Sequence, residues 1–430
     1  MFRALSLLIV VLVALAACQA PKTEETATTG GMINDAAKAR IDSTLKAMVD
    51  SAKIVGVSAL IFEKDKEVYF NAFGSADREA NKPFDRNTIV RIYSMTKPVT
   101  GTALMQLYEK GMFQLDDPLE KYLPEFANMK VISGSDAKGK MILEPAKRPI
   151  SVRDITRHTA GFARGDEHPA MPDMIKTADV MNKQNTLAQM AAKLGKLPLG
   201  FHPGEKWSYG ISVDVQAYLV EKLSGKPFDQ YVRENILDPL KMTTTGYVAR
   251  DMSKFATVYS RDEAGKLQRV PDDNDFVNGF NKQEWPLKPG GWGLTSTVDD
   301  YQRFARMLVN EGTFDGAAIL KPETVKLMST NQLEDSVTER MWLPSKGQVG
   351  FGIDFAVRMR APQDVKENNG VVGEFFWDGA ASTLFWVDPV NELTAVLFVQ
   401  AFPFHNELHK KFRDAVYGKV RVGESPVAAR

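Results

Sequence analysis

The run Pro98-Val99-Thr100-Gly101-Thr102-Ala103-Leu104-Met105-Gln106-Leu107 is apolar or small almost all round. A helix of that kind offers water no face and must be enclosed by other elements. Pro98 is tolerated only in a first turn, so the helix begins just before it. Directly upstream stands Ser94-Met95-Thr96-Lys97, itself preceded by the extended-looking Ile89-Val90-Arg91-Ile92-Tyr93. Ser94 therefore starts a buried helix, and Lys97 lies one turn on along the same face. The chain has ample material to enclose it: 430 residues, 44% of them apolar. That is more than one typical domain needs, and it predicts two lobes or one large domain with insertions.

The placement has chemical meaning. A serine hydroxyl is a poor nucleophile until a base takes its proton. An amine serves as that base when burial disfavours its ammonium form. The free N–H groups at a helix start favour a developing oxyanion. The bland alternative is a capping serine with a surface lysine. Ser-x-x-Lys occurs twice more, and both instances are bland. Ser43 and Lys46 lie on the polar side of a helix that buries Ile41, Leu45 and Met48, and Ser135 and Lys138 fall in a polar cluster. The chain carries no Gly-x-Ser-x-Gly elbow, no His-Glu-x-x-His and no P-loop.

Strand patterns sit at the two ends. Val55–Phe62 and Val68–Ala76 read as a hairpin after a helix capped by Asn34. Thr383–Val387 and Leu393–Gln400 read as strands hinged at Asp388-Pro389, and a last helix covers about His405–Val416. The middle is mostly helical with long loops, one of them the Ser133–Lys140 cluster. A helix there is capped by Thr297, turns Tyr301, Phe304 and Leu308 inward, and stops at Gly312. The economical arrangement is α+β: one antiparallel sheet of N- and C-terminal strands flanked by helices, with a large helical insertion. That puts a sheet lobe at about 34–93 and 345–420 and a helical lobe at about 94–344.

The first 18 residues read as an export signal. Arg3 is their only charge, and the apolar run Ala4–Ala17 is too short to span a bilayer comfortably. Leu15-Ala16-Ala17-Cys18 resembles the lipobox of a bacterial lipoprotein, with Cys18 lipidated and Gln19 leaning towards the outer membrane. Without a lipid the chain would be periplasmic or secreted. Residues 19–33 are expected to be a flexible tether. Cys18 is the lone cysteine, so no disulfide framework exists. Basic and acidic residues balance at 54 each, which gives no field for nucleic acid or an anionic surface.

Landmarks in order along the chain resemble the serine β-lactamase and penicillin-binding-protein superfamily, nearest the class C β-lactamases and the related family VIII esterases. Ile150–Phe162, containing Thr156-Arg157-His158-Thr159-Ala160-Gly161-Phe162, resembles the family's "LLTHTSGL" segment. Pro203–Tyr209 resembles its run into the catalytic tyrosine, and Asp238-Pro239-Leu240-Lys241-Met242 its "PLGM" segment. Gly290–Thr297 resembles "GGLxST", and Trp377-Asp378-Gly379-Ala380 stands at the third motif. The resemblance covers about Asn34 to Tyr417 and implies the β-lactamase/transpeptidase-like fold. It implies Ser94 as nucleophile, Lys97 as general base and Tyr209 as proton relay. It further implies an oxyanion hole from the Ala380 and Ser94 N–H groups, with Trp377, Asp378 and Gly379 at the substrate. His158 is then a supporting or structural residue.

Two departures shape the function. Ile211 stands where the family often has asparagine, and Trp377 replaces the lysine of Lys-Thr-Gly, so this strand supplies no cation for a substrate carboxylate. Both losses favour a small neutral ester over a β-lactam or D-alanyl peptide. Asp378, where related esterases usually have glycine, either perturbs Lys97 and Tyr209 or faces solvent. The leading expectation is a carboxylic-ester hydrolase acting through an acyl-enzyme, without metal or organic cofactor. The alternatives are a β-lactamase or D-Ala-D-Ala-type peptidase, and an inactive lipid-anchored binding protein. The partners implied are a small-molecule ester or amide and, through the anchor, a membrane. His405 and His409, with Glu407 between them, have zinc-compatible spacing but no third ligand and read as a polar helix face. Trp285, Trp292, Trp342 and Trp377 are candidates to line the pocket, and the loops around Gly134 and Asn274 to shape it.

Overall fold

The computed structural model describes residues 31–427, apart from 272, 273, 275, 276 and 278. The expected signal and lipobox with Cys18, and the tether up to Gly30, lie outside the described residues.

Helix α1 (Asp35–Asp50) starts where Asn34 Oδ1 accepts the Ala37 N–H at 3.0 Å, and it buries Ile41, Leu45 and Met48. Strands β1 (Gly56–Glu63) and β2 (Lys66–Asp77) form the expected hairpin. Its turn residues Lys64 and Asp65 have φ of 50° and 60°, the left-handed pair that matches strand twist in a two-residue turn. After the short β3 (Lys82–Pro83) come the helices α2 (Thr96–Glu109), α3 (Ser212–Ser224) and α4 (Val298–Val309). The sheet resumes with β4 (Val349–Phe351), β5 (Ala356–Arg358), β6 (Phe375–Asp378), β7 (Leu384–Asp388) and β8 (Leu393–Val399). Helix α5 (Asn406–Tyr417) closes the fold.

All eight strands join one sheet in the order β4-β5-β6-β7-β8-β1-β2-β3, and every neighbouring pair is antiparallel. The two ends of the chain meet where β1 pairs with β8, with Val57 opposite Val399 and Leu60 opposite Val396. Both strands are near-continuous apolar runs, the pattern of strands covered on both faces. Successive side chains of β7 identify the covers, because they point to opposite faces. Phe385 packs edge-on to Tyr301 of α4, whereas Trp386 meets Phe412 and Tyr417 of α5. Helix α1 lies beside α5, where Arg40 Nε donates to the Ala415 carbonyl at 3.2 Å.

Three expectations are refined. Ser94 sits not in the helix but in a 3-10 turn, Tyr93–Met95, that runs into α2, with Pro98 in the first turn of α2. Ser133–Lys140 is not an irregular loop: it spans the turn of a hairpin pairing Lys130–Ser135 with Met141–Pro145. The tether ends earlier than expected, since Ile33 is buried and the Met32 and Ile33 N–H groups donate to the Glu63 carboxylate at 2.6 and 3.2 Å.

Candidate active site

Four segments converge beside the start of α2, which is buried over most of its length. The first is the turn that carries Ser94. Val90–Arg91 pairs with Thr295–Ser296, and the chain reverses at Tyr93, whose φ is 45°. A bulky residue in the left-handed region is uncommon and persists only where packing enforces it. The Tyr93 ring is buried edge-on to Phe402, at 5.6 Å between centroids.

Lys97 comes next. Its Nζ lies 3.3 Å from Ser94 Oγ, donates to the Gly291 carbonyl at 2.6 Å, and stands 4.5 Å from the centre of the Tyr209 ring. Gly291 permits this approach. A Cβ there would lie 2.9 Å from Asp214 Oδ2 and 3.3 Å from Lys97 Nζ. Asp214, in the first turn of α3, accepts the Gly291 N–H at 3.0 Å. Burial pushes its carboxyl up to about 6, against the pull of the Lys97 ammonium. Asp354 lies beneath α2 at Gly101 with Oδ2 unpartnered, and burial pushes it well above the usual carboxylate range. These two acids behind Lys97 escaped the sequence reading. Their only signal is an acidic residue inside an otherwise apolar stretch, which reads equally well as a helix cap or a turn.

The third segment carries Tyr209, just before α3. Its hydroxyl accepts from Trp377 Nε1 at 3.2 Å, and its ring packs against His158, Trp342 and Trp377 at 4.7, 5.1 and 5.4 Å. His158 is wholly buried. Its Nδ1 receives the Gly210 N–H at 3.4 Å, and burial holds its imidazole well below its ordinary value. Ile211 occupies the N-cap position of α3 and makes no side-chain cap hydrogen bond.

The fourth segment is the turn after β6. A Cβ on Gly379 would press on Thr383 Oγ1 and on the Ile92 carbonyl, so only glycine lets this turn lie against the turn that carries Ser94. Beyond Ala380, Ser382 has φ 71°; its Oγ donates to the Ala401 carbonyl, and its own carbonyl receives His409 Nε2–H at 2.9 Å. His409 is thus neither a zinc ligand nor part of a polar face. It is buried, and burial holds its imidazole down to about 4. Among the described residues there is no group of three or more side chains suited to a metal ion.

Ser94, Tyr209, Asp378 and Ala380 line one cavity of ≈ 330 Å³ together with Trp342 and Lys346. Trp377 is not in its wall: fully buried, it stands behind Tyr209, so the expectation of substrate contact gives way to a hydrogen bond. Gly379 likewise acts from behind. Of the four tryptophans singled out, Trp342 is the one in the lining, and the lining includes neither Gly134 nor Asn274. Asp378 is largely shielded from water and makes neither an ion pair with Lys97 nor a hydrogen bond to Tyr209. It forms an ion pair with Lys346, each side chain only 10% exposed. Lys346 had no sequence signal, because it arrives from the separate segment Leu343–Lys346.

The family model for beta-lactamases matches residues 41–417. The chain belongs to the beta-lactamase family. Protein Rv1367c of Mycobacterium tuberculosis is 32% identical over 369 residues, 84% of this chain and 89% of the relative. Esterase EstB of Burkholderia gladioli is 29% identical over 224 residues, 51% of this chain and 54% of the esterase. The solved structure of EstCE1, described as a hydrolase with promiscuous acyltransferase activity, superposes with a TM-score of 0.71 at 25% identity, covering 89% of this chain and 99% of its own. Membership of the beta-lactamase family makes this chain an enzyme of the serine hydrolase and acyltransferase group.

Proposed function

We propose that the protein is a carboxylic-ester hydrolase with Ser94 as nucleophile, Lys97 as general base and Tyr209 as proton relay. One observation carries the reading: Ser94 Oγ stands 3.3 Å from a buried amine, at the wall of a cavity it shares with the Tyr209 ring. Lys97 takes the hydroxyl proton as Ser94 Oγ bonds to the ester carbonyl carbon. The Ser94 and Ala380 N–H groups receive the negative charge on the carbonyl oxygen. The carbon–alkoxide bond breaks, the departing alcohol collects a proton by way of Tyr209, and the acyl group remains on Ser94. Water repeats the sequence and releases the acid. An alcohol in place of that water would give acyl transfer, in keeping with the activity named for EstCE1.

Esters rank above β-lactams because the cation at the cavity wall is already neutralised by Asp378. We further propose that Cys18 carries a lipid that holds the enzyme at a bacterial membrane. The test is purified protein with a p-nitrophenyl ester and with a chromogenic cephalosporin, alongside fluorophosphonate labelling read by mass spectrometry. Ester turnover and an adduct on Ser94, both absent in Ser94→Ala, are expected. Fast cephalosporin turnover without esterase activity would reverse the ranking, and no adduct under any condition would point to an inactive binding protein.

A further inference from the structure

The ion pair at the cavity wall has a consequence for substrate class that rests on the ester-hydrolase reading. Lys346 and Asp378 are the charged side chains among the residues lining the cavity that holds Ser94. The rest of that lining is aromatic, small or neutral, and includes Trp342, Phe404 and Asn406. Lys346 Nζ lies 5.1 Å from the ring centres of Trp342, Trp377 and Phe404, so its ammonium sits in an aromatic enclosure closed by one carboxylate. His409, close behind Asp378, adds no charge: its Nε2–H is committed to the Ser382 carbonyl, and its imidazole is held neutral at ordinary pH.

An ammonium walled by rings, with room for one carboxylate, is a carboxylate-binding site. Here the carboxylate is the protein's own. We infer that Asp378 occupies the anion site of Lys346 as an internal substitute ligand, and so makes the enzyme selective for uncharged esters over esters that carry a second, ionised carboxyl group. The competition is unequal, because Asp378 is tethered at β6 and its effective concentration is that of an intramolecular group. A substrate carboxylate entering the cavity meets a cation already neutralised and an aspartate that repels it. It loses its water without a partner. A neutral ester meets no such cost.

The test compares phenylacetate with phenylacetamide, which share a shape and differ by one charge. Binding to Ser94→Ala protein, which cannot turn over, is followed by quenching of tryptophan fluorescence, with Trp342 in the cavity wall as reporter. With the pair intact, the amide binds at least as tightly as the acid. Adding Asp378→Asn empties the anion site, and preference for the acid over the amide rises at least tenfold. Lys346→Met leaves Asp378 alone, and that preference falls below the starting value. The double change, Asp378→Asn with Lys346→Met, brings it back near the start. If the Asp378→Asn protein does not fold, Asp378→Ala is the second variant: it keeps Lys346 and removes the carboxylate, and preference for the acid must rise there by the same tenfold.

An unchanged preference in Asp378→Asn, or tenfold selectivity for the acid with the pair intact, overturns the inference. So does millimolar ligand that binds no variant. None of these readings needs turnover. Failure of the ester-hydrolase assignment shows separately, in the ester assay and in the labelling of Ser94.

Discussion

Replacing Gly379 by alanine tests how the third motif acts from behind the cavity. Gly379 is not among the glycines with positive φ, so alanine adds no backbone strain and its effect is a matter of space. The new methyl would lie 3.2 Å from the Ile92 carbonyl carbon and nearer still to its oxygen. That is roughly 1 Å inside the separation non-bonded carbon and oxygen tolerate. Thr383 Oγ1, the other neighbour, has no hydrogen-bond partner and can rotate away. Ile92 cannot: its N–H is bonded to the Leu294 carbonyl at 3.1 Å, and it leads into the turn that carries Ser94. The turn after β6 must therefore retreat by about 1 Å, taking the Ala380 N–H with it. A displacement of that size costs about a hundredfold in rate, and complete loss of one oxyanion donor about a hundred- to a thousandfold. Gly379→Ala should therefore lower kcat for p-nitrophenyl ester hydrolysis by about two to three orders of magnitude, with far-UV circular dichroism unaltered. A kcat within a few-fold of wild type would refute the close-approach reasoning and remove Ala380 from the oxyanion hole.

Other consequences follow from the same geometry. Trp377→Phe removes the donor to the Tyr209 hydroxyl without altering the cavity lining, so kcat should fall about 2- to 12-fold, the worth of one hydrogen bond, with KM little changed; a rise in KM at constant kcat would count against it. Asp214 titrates near 6 in the fold against 3.8 in the free side chain, so the folded chain holds the extra proton between those values and stability falls as pH rises through them. The full term is about 3 kcal/mol, of which roughly half lies between about pH 5 and pH 8. Asp214→Asn lacks it, so its stability difference between those two pH values in urea titrations should shift by roughly 1 to 2 kcal/mol relative to wild type; an identical pH profile would contradict the buried placement. Cys18→Ser should move the protein from the membrane to the soluble fraction and abolish incorporation of labelled palmitate, whereas continued labelling would refute the lipobox reading.

Much of the site was legible because its chemistry is local. Ser94 and Lys97 sit one turn apart beside a helix whose apolar circumference required burial, and the bland copies at Ser43 and Ser135 are exposed. Tyr209 and Ala380 were located by the order of landmarks along the chain, since nothing within their own segments marks them. The terminal strands were readable from their apolar runs, and a shared sheet was the economical way to cover them. Trp377, Asp378 and His409 were misread in their surroundings. A tryptophan at a motif position looks the same in sequence whether it faces substrate or supports a tyrosine, and a histidine on a terminal helix looks solvent-facing until the Ser382 turn is laid against it.

From the sequence alone came the proximity of Ser94 and Lys97, the buried helix, the strands at both ends and the absence of a lysine in the third motif. All of these depend on residue type and on spacing within a few turns. Only tertiary structure decided what surrounds them: Asp214 and Asp354 behind Lys97, Trp377 on the Tyr209 hydroxyl, and Lys346 against Asp378. Those partners lie tens to hundreds of positions apart in the chain. A charge's effect depends on distance and burial rather than on sequence separation, so whether the cavity is charged or neutral emerged only once the chain had folded.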